Sequence, residues 1–270
     1  MTAVTSPVRA YPVAAYALLA GLFGWAFYIA ATLGADLSPG MNPLGPIIAA
    51  AVVTALVGRS GWTRWGRQLG TFRTSIGWYG LALVAPVAVM VAAVVANSAF
   101  GAPLPTAEQL AGWIELPVTF VFLLIAIGIG EEAGWTAFAA PRLLERYPFV
   151  TAWLVLATIR AIWHLPLMLA GDLPWVLGIG GNAAFQFLLL WIFMRSGGVW
   201  VLAAIWHAVL NSVGGEFFFQ MVDGPDQARL GVLMTAGYVL FAVVALVSDR
   251  ARLMSAKREH HDGELAEERA

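Results

Sequence analysis

Apolar residues run almost unbroken along most of the chain, interrupted by short clusters of arginine, glycine and proline. A helix needs about 20 apolar residues to cross a hydrocarbon core of about 30 Å. Eight stretches come near that length, at roughly 11–33, 41–57, 76–98, 117–140, 149–170, 175–194, 199–221 and 230–248. The second is short and opens on Pro43 and Pro46. The fifth and sixth are separated only by the turn Gly171-Asp172-Leu173-Pro174. The pattern predicts an all-α fold, a polytopic membrane helix bundle of about eight transmembrane helices. Residues 1–250 form a single transmembrane domain in this reading, with a charged, disordered tail at 251–270.

The basic residues fix the expected orientation. Arg9, then Arg59, Arg64, Arg67 and Arg73, then Arg142 and Arg146, then Arg195, then the tail cluster from Arg250 to Arg269, all fall in alternate loops. Only Arg229 and Arg160 lie elsewhere. Lysine and arginine are retained on the cytoplasmic side, so both termini are expected in the cytoplasm. The loop 58–75 interleaves Trp62, Trp65, Leu69 and Phe72 with its arginines, the composition of a helix lying at the membrane surface. An interfacial anchor is its expected role.

Composition agrees and removes some chemistry. The chain is 60% hydrophobic and 11% charged, where a soluble domain carries roughly 25% charge, so a multi-pass cell-membrane protein is expected, with the lipid bilayer as its first partner. There is no cysteine, which excludes disulfides, thiolate metal sites and a cysteine nucleophile. No strand precedes the glycines of Gly128-Ile129-Gly130, so they imply no phosphate loop, and no nucleic-acid partner is implied either. Gly128, Gly130, Gly134, Gly214 and Gly215 are read as allowing close helix packing.

Against this background the stretch 128–211 stands out. Three apolar segments carry ionisable or amide groups: Glu131 and Glu132 in the fourth, Arg160 and His164 in the fifth, His207 and Asn211 in the seventh. An ionisable group inside a membrane helix is costly and marks a functional site by default. Arg160 and His164 are four residues apart, as are His207 and Asn211, so each pair shares a helix face. Glu131 and Glu132 point about 100° apart, so one can face a cavity while the other pairs with a neighbouring helix. A carboxylate and two imidazoles in a semi-enclosed site can hold and deprotonate a water, and an amide can donate to a developing oxyanion. Glu131, His164 and His207 also make a candidate ligand set for Zn2+ or another divalent metal. The chemistry suggested is hydrolysis inside the membrane. No organic cofactor is implied, and the sequence leaves the oligomeric state open.

At these residues the chain resembles the CPBP family of intramembrane proteases, also called the Abi or CAAX-protease family. The family pattern is Glu-Glu-x-x-x-Arg, then Phe-x-x-x-His, then His-x-x-x-Asn or Asp. It matches here at Glu131 and Glu132, at His164, and at His207 and Asn211, and the resemblance covers about 115–215. It implies an intramembrane endopeptidase, labelled a metalloprotease in many members, that acts on a peptide or membrane-protein substrate, CAAX-like in some members. Glu131 would activate water, His164 would hold the water or a metal, His207 and Asn211 would form the oxyanion site, and Glu132 would orient the group. It also implies a bacterial plasma-membrane setting tied to bacteriocin maturation or self-immunity, with a site opening toward the cytoplasm. Two positions depart from the pattern: Thr136 stands where the family has arginine, and Arg160 where it has phenylalanine. The two can be one change, with Arg160 supplying from the fifth segment the guanidinium missing from the fourth and pairing with Glu132 or Glu131. The alternatives are a catalytically inactive relative acting as a partner-binding or immunity protein, and an ion-coupled transporter using the same groups.

Overall fold

The computed structural model describes residues 7–36, 38 and 40–255. The His260 and His261 pair and the tail from residue 256 lie outside the described residues. The described chain is helical, in the order α1 (Pro12–Gly24), α2 (Ala26–Thr32), α3 (Gly45–Val57), α4 (Arg59–Leu69), α5 (Ile76–Ala99), α6 (Ala107–Leu144), α7 (Phe149–Trp163), α8 (Leu165–Ala170), α9 (Val176–Arg195), α10 (Val201–Met221) and α11 (Gly224–Ser255). Five of these are long and apolar enough to span a bilayer, and a sixth is the pair α1–α2 if its 51° bend is counted within one span. This is the expected all-α membrane bundle. All eight apolar stretches become helix, but α3 has 13 residues and α7 has 15. At about 1.5 Å per residue neither alone reaches about 30 Å, so five to six candidate spans stand where about eight were expected.

Two breaks have local causes. At Trp25 the chain turns between α1 and α2, and the indole Nε1 donates to the Trp163 carbonyl at 2.8 Å, fixing the bend against the end of α7. At His164 the helix ends because Pro166 cannot continue the backbone ladder, and it restarts as α8 with that proline in its first turn. The last helix runs five residues beyond the expected limit of the transmembrane domain, through Ser255, where the tail was expected to be disordered.

Close backbone approach is what draws the site helices together. A Cβ on Gly128 would stand 2.6 Å from the Ala204 carbonyl of α10. One on Gly130 would stand 2.9 Å from the Pro43 carbonyl, and one on Gly134 would stand 2.7 Å from Pro46 backbone and 2.6 Å from the Tyr16 hydroxyl. Three glycines of α6 thus let α10, α3 and α1 meet around one stretch, the small-residue packing of membrane bundles. Gly214 has only ordinary contacts and Gly215 faces open space, so neither serves the close packing expected of it. The most enclosed span is α9, buried continuously from Ala184 to Phe193.

The amphipathic helix α4 is present where the arginine–tryptophan pattern placed it, and it does more than anchor. Trp62 is exposed, whereas Trp65 is buried and its Nε1 donates to the Ala133 carbonyl at 3.0 Å. Gln68 Nε2 donates to Gly198 O at 2.7 Å, and Trp200 Nε1 donates to Leu69 O at 3.1 Å. These bonds tie α4 across the arginine-rich ends of α6, α9 and α10.

Candidate active site

The stretch of α6 that carries both glutamates is not a regular α-helix. Gly130–Gly134 is α-helical, but Leu124–Ile129 before it and Trp135–Ala139 after it are π-helical turns. In α10 another π turn, Leu210–Gly215, begins one residue before Asn211. Such turns insert a residue into the helical ladder and recur at functional sites. Here they flank the two glutamates on α6 and carry Asn211 on α10.

Glu132 is the hub. It is fully buried, and each of its oxygens is engaged. Arg160 Nη2, itself fully buried, donates to Glu132 Oε1 at 2.5 Å. His207 Nδ1 lies 3.0 Å from the same oxygen. Thr136 Oγ1 donates to Glu132 Oε2 at 2.5 Å. The expected pairing of Arg160 with one of the two carboxylates is therefore met, and at Glu132. The two departures from the family pattern are complementary in space: the threonine replacing the motif arginine holds one oxygen, and a guanidinium from α7 holds the other. Aromatic walls enclose this ion pair. The Arg160 Cζ stands 5.6 Å from the Trp135 ring centroid and 5.4 Å from that of Phe185.

Glu131 has the opposite environment. It is only 4% exposed, yet its Oε2 has no hydrogen-bond partner. Nearby, Tyr16 OH, Trp135 Nε1 and the Nε and Nη1 of Arg160 are buried without partners as well. Leaving a buried polar atom unpaired costs about 1–3 kcal/mol, and unpaired groups gathered at one place mark a functional centre. The sequence reading that one glutamate pairs with a neighbouring helix holds for Glu132; the other, Glu131, was expected to face a cavity and does not line the one beside the histidines.

The histidines can be assigned tautomers from their partners. His164 Nδ1 lies 2.9 Å from Arg160 O and 3.3 Å from Asn182 Nδ2. A carbonyl only accepts, so Nδ1 carries the proton toward it, and the Asn182 amide donates instead to Gly178 O at 2.8 Å. His207 Nδ1, facing the carboxylate of Glu132, is likewise the protonated nitrogen. A carboxylate behind an imidazole fixes its orientation. In both rings Nε2 is left for water, substrate or metal.

His164, His207 and Asn211 line one cavity of about 510 Å³, together with Asn182, Phe185 and Tyr238. Asn211 Nδ2 donates to His207 O at 3.0 Å, keeping the amide beside the imidazole. Glu131 does not line this cavity. It connects to it through His207: donor atoms of Glu131, Glu132 and His207 all lie within 4.8 Å of one another. The cavity continues to Asp172 and Pro174 in the turn before α9, and to Gln220 and Gln227 around the start of α11. That is the end of the bundle opposite the arginine-rich loops. The expected opening toward the cytoplasm holds for this cavity only if this end, rather than the arginine-rich one, is the cytoplasmic end.

Among the described residues, the group of three that could hold a metal ion is Glu131, Glu132 and His207. His164, expected in the set, is not part of it. Carboxylate and imidazole donors suit a divalent ion, and the unpartnered Glu131 Oε2 is a free donor. Glu132, in contrast, already has both oxygens bonded.

The positions that sequence reading passed over are Tyr16, Trp135, Asn182 and Phe185. Tyr16 packs its ring against Trp135 and Phe138, with centroids 5.2 and 5.1 Å apart. Phe185 meets His207 edge-on at 4.9 Å. Tyr16 and Asn182 were findable, since each is a polar group in an apolar run. The two aromatic walls carried no such signal.

Fold and centre together define a class: a multi-pass membrane helix bundle enclosing a carboxylate–imidazole–guanidinium centre between its helices. Residues 113–213 match the family described as type II CAAX prenyl endopeptidase Rce1-like. This stretch holds every residue of the centre, and the match agrees with the resemblance to CPBP proteases read from the motifs. No curated protein matches the chain.

Proposed function

We propose that the protein is an intramembrane endopeptidase of the CAAX-protease type that hydrolyses a peptide bond with a water activated by Glu131. The observation carrying this reading is the contrast between the two adjacent carboxylates. Glu132 is saturated by Arg160, His207 and Thr136 and holds the imidazole in place. Glu131 keeps a buried oxygen with no partner beside that imidazole.

A water between Glu131 and His207 Nε2 finds two acceptors. Glu131 takes one of its protons as the oxygen adds to the scissile carbonyl carbon. Asn211 uses the amide hydrogen not given to His207 O to donate to the oxyanion that forms. The proton held by Glu131 then passes to the leaving amine as the C–N bond breaks. His164, with Nε2 unprotonated, helps hold the substrate or water on the far wall of the cavity. A divalent ion held by Glu131, Glu132 and His207 would polarise the carbonyl and acidify the water. The inactive-relative alternative was drawn from Thr136 and Arg160; their joint hold on Glu132 supports the endopeptidase reading over it. The setting proposed is a bacterial plasma membrane, with a peptide or membrane-protein segment as substrate.

The test is cleavage of a degenerate peptide library by purified protein, wild type beside Glu131→Gln. The amide keeps the shape of the side chain and removes the base, so cleavage should disappear. Cleavage retained by Glu131→Gln would rule out the assigned base.

A further inference from the structure

We propose that the arginine-rich end of the bundle holds a binding site for an anionic phospholipid. The headgroup phosphate sits between α4 and the end of α6, and an acyl chain lies in the groove between α1, α6 and α7. The site is separate from the carboxylate–imidazole centre and does not rest on the endopeptidase reading.

The polar half is a pocket of about 540 Å³ with Arg64 and Arg67 of α4 on one side and Arg142 and Glu145 at the end of α6 on the other. Three guanidiniums share one carboxylate, and that carboxylate is taken: Arg64 Nη2 donates to Glu145 Oε2 at 2.5 Å. Among the described residues, Arg67 and Arg142 have no carboxylate partner. Arg142 is only 7% exposed. Its Nη1 donates to Phe138 O at 2.7 Å, and its Cζ stands 3.7 Å from the Phe138 ring centroid. A buried cation without a counter-charge is costly, and a carbonyl and a ring face offset only part of that. An anion in the pocket supplies the rest, and guanidinium forks match the oxygens of a phosphate.

The apolar half decides which phosphate compound fits. A second pocket, of about 310 Å³, shares Arg64, Arg142 and Glu145 with the first. It continues along Val13 of α1, Leu143 of α6, and Val155 and Ile159 of α7. A free phosphate would fill the first pocket alone, whereas a molecule with an anionic head and an apolar tail fills both. Tyr11 and Tyr147 on the wall of the second pocket, and Trp62 on α4, are exposed. Tyrosine and tryptophan favour the headgroup level of a bilayer, which sets the pockets at the right depth for a lipid. Arginines in excess over glutamate also choose among lipids, because the amine of a zwitterionic headgroup would meet like charge.

A phosphate held by Arg64, Arg67 and Arg142 would tie α4 to α6 beside the bond from Trp65 to Ala133 O, so occupancy should appear as stability. The protein is purified in neutral detergent and stripped of lipid. Its unfolding midpoint is then followed while phosphatidylglycerol, phosphatidylcholine with the same chains, or inorganic phosphate is titrated in. Phosphatidylglycerol at about 100 times its dissociation constant should raise the midpoint by roughly 5 °C or more, and the other two should not. Arg67→Gln alters an exposed side chain with no carboxylate partner to lose, and should weaken the apparent affinity about fivefold. Arg142→Gln should weaken it further. Arg73→Gln removes the same charge from the neighbouring loop, outside both pockets, and should leave the affinity as it was.

No shift with phosphatidylglycerol overturns the proposal. An equal shift with phosphatidylcholine overturns the selection by charge, and an equal shift with inorganic phosphate overturns the lipid as occupant. Equal losses in Arg67→Gln and Arg73→Gln would mean diffuse surface charge and overturn the pocket. If Arg142→Gln fails to fold, the comparison of Arg67→Gln with Arg73→Gln decides alone.

Discussion

Removing the Arg160 guanidinium tests the structural logic of the centre most directly. Both members of the Arg160–Glu132 pair are fully buried, so Arg160→Leu leaves Glu132 with a bond from Thr136 and one from His207 but no permanent counter-charge. Breaking a buried pair from one side costs about 3–5 kcal/mol, and each 1.4 kcal/mol is about tenfold in an equilibrium. The folded-to-unfolded ratio should therefore fall by about two to four orders of magnitude. That is a large part of the roughly 5–15 kcal/mol of a typical domain. The assay is reversible unfolding in mixed micelles, with Glu132→Gln and the double variant Arg160→Leu/Glu132→Gln measured beside it. Because the double variant removes both charges of the pair, it should recover most of the loss, giving a coupling well above the error of a cycle.

The same structure predicts a relocation. Thr136 Oγ1 already touches Glu132 Oε2, one helical turn along α6, so an arginine at 136 can reach the carboxylate from its own helix. Thr136→Arg with Arg160→Phe restores the family wording at both positions and should be more stable than Arg160→Phe alone. An Arg160→Leu protein within about 0.5 kcal/mol of wild type, the range of ordinary surface changes, would refute the reasoning. A relocated arginine that gives no recovery would show that Thr136 and Arg160 are unrelated departures.

Glu131→Gln should leave stability unchanged or slightly raised, since the lost charge is unpartnered, while cleavage falls by at least about 10²-fold, the usual share of a general base; a large loss of stability would place Glu131 in the scaffold. Gly134→Ala should destabilise by about 1–3 kcal/mol, because its Cβ would meet Pro46 backbone at 2.7 Å; an unperturbed melting curve would mean that α3 and α6 are not packed as described. Trp65→Phe keeps an aromatic ring and removes the bond to Ala133 O, and should cost about 1 kcal/mol; an unchanged melting curve would mean that this bond does not hold α4 to α6. Chelation should abolish cleavage and lower thermal stability together if Glu131, Glu132 and His207 hold an ion; Glu131→Gln should then also lower the measured metal content.

Helix positions were legible because a membrane span leaves a continuous apolar run, and each of the eight runs became helix. Their number as spans was less legible. α3 and α7 carry apolar residues in the right density but stop short, one at Gly58 and the other at His164 ahead of Pro166. The chemistry was legible from cost: Glu131, Glu132, Arg160, His164 and His207 stand where a charge is expensive, so their presence demanded partners. Adjacent residues diverge by about 100° on any helix, which was enough to expect unlike roles for the two glutamates.

What stayed hidden depends on backbone detail that no residue pattern encodes. The π turns at Leu124–Ile129, Trp135–Ala139 and Leu210–Gly215 change which side chains face each other. Glu132, rather than His164, joins Glu131 and His207. The direction of the cavity was hidden for a related reason. The sequence places the polar groups on particular helix faces but does not say toward which end of the bundle a cavity between them runs. Hidden too was the role of α4, whose tryptophans look from composition like two equivalent interfacial anchors. Trp62 is exposed, whereas Trp65 turns inward and bonds to the residue next to Glu132, so the segment expected to hold the protein at the membrane surface also braces the helix that carries both glutamates.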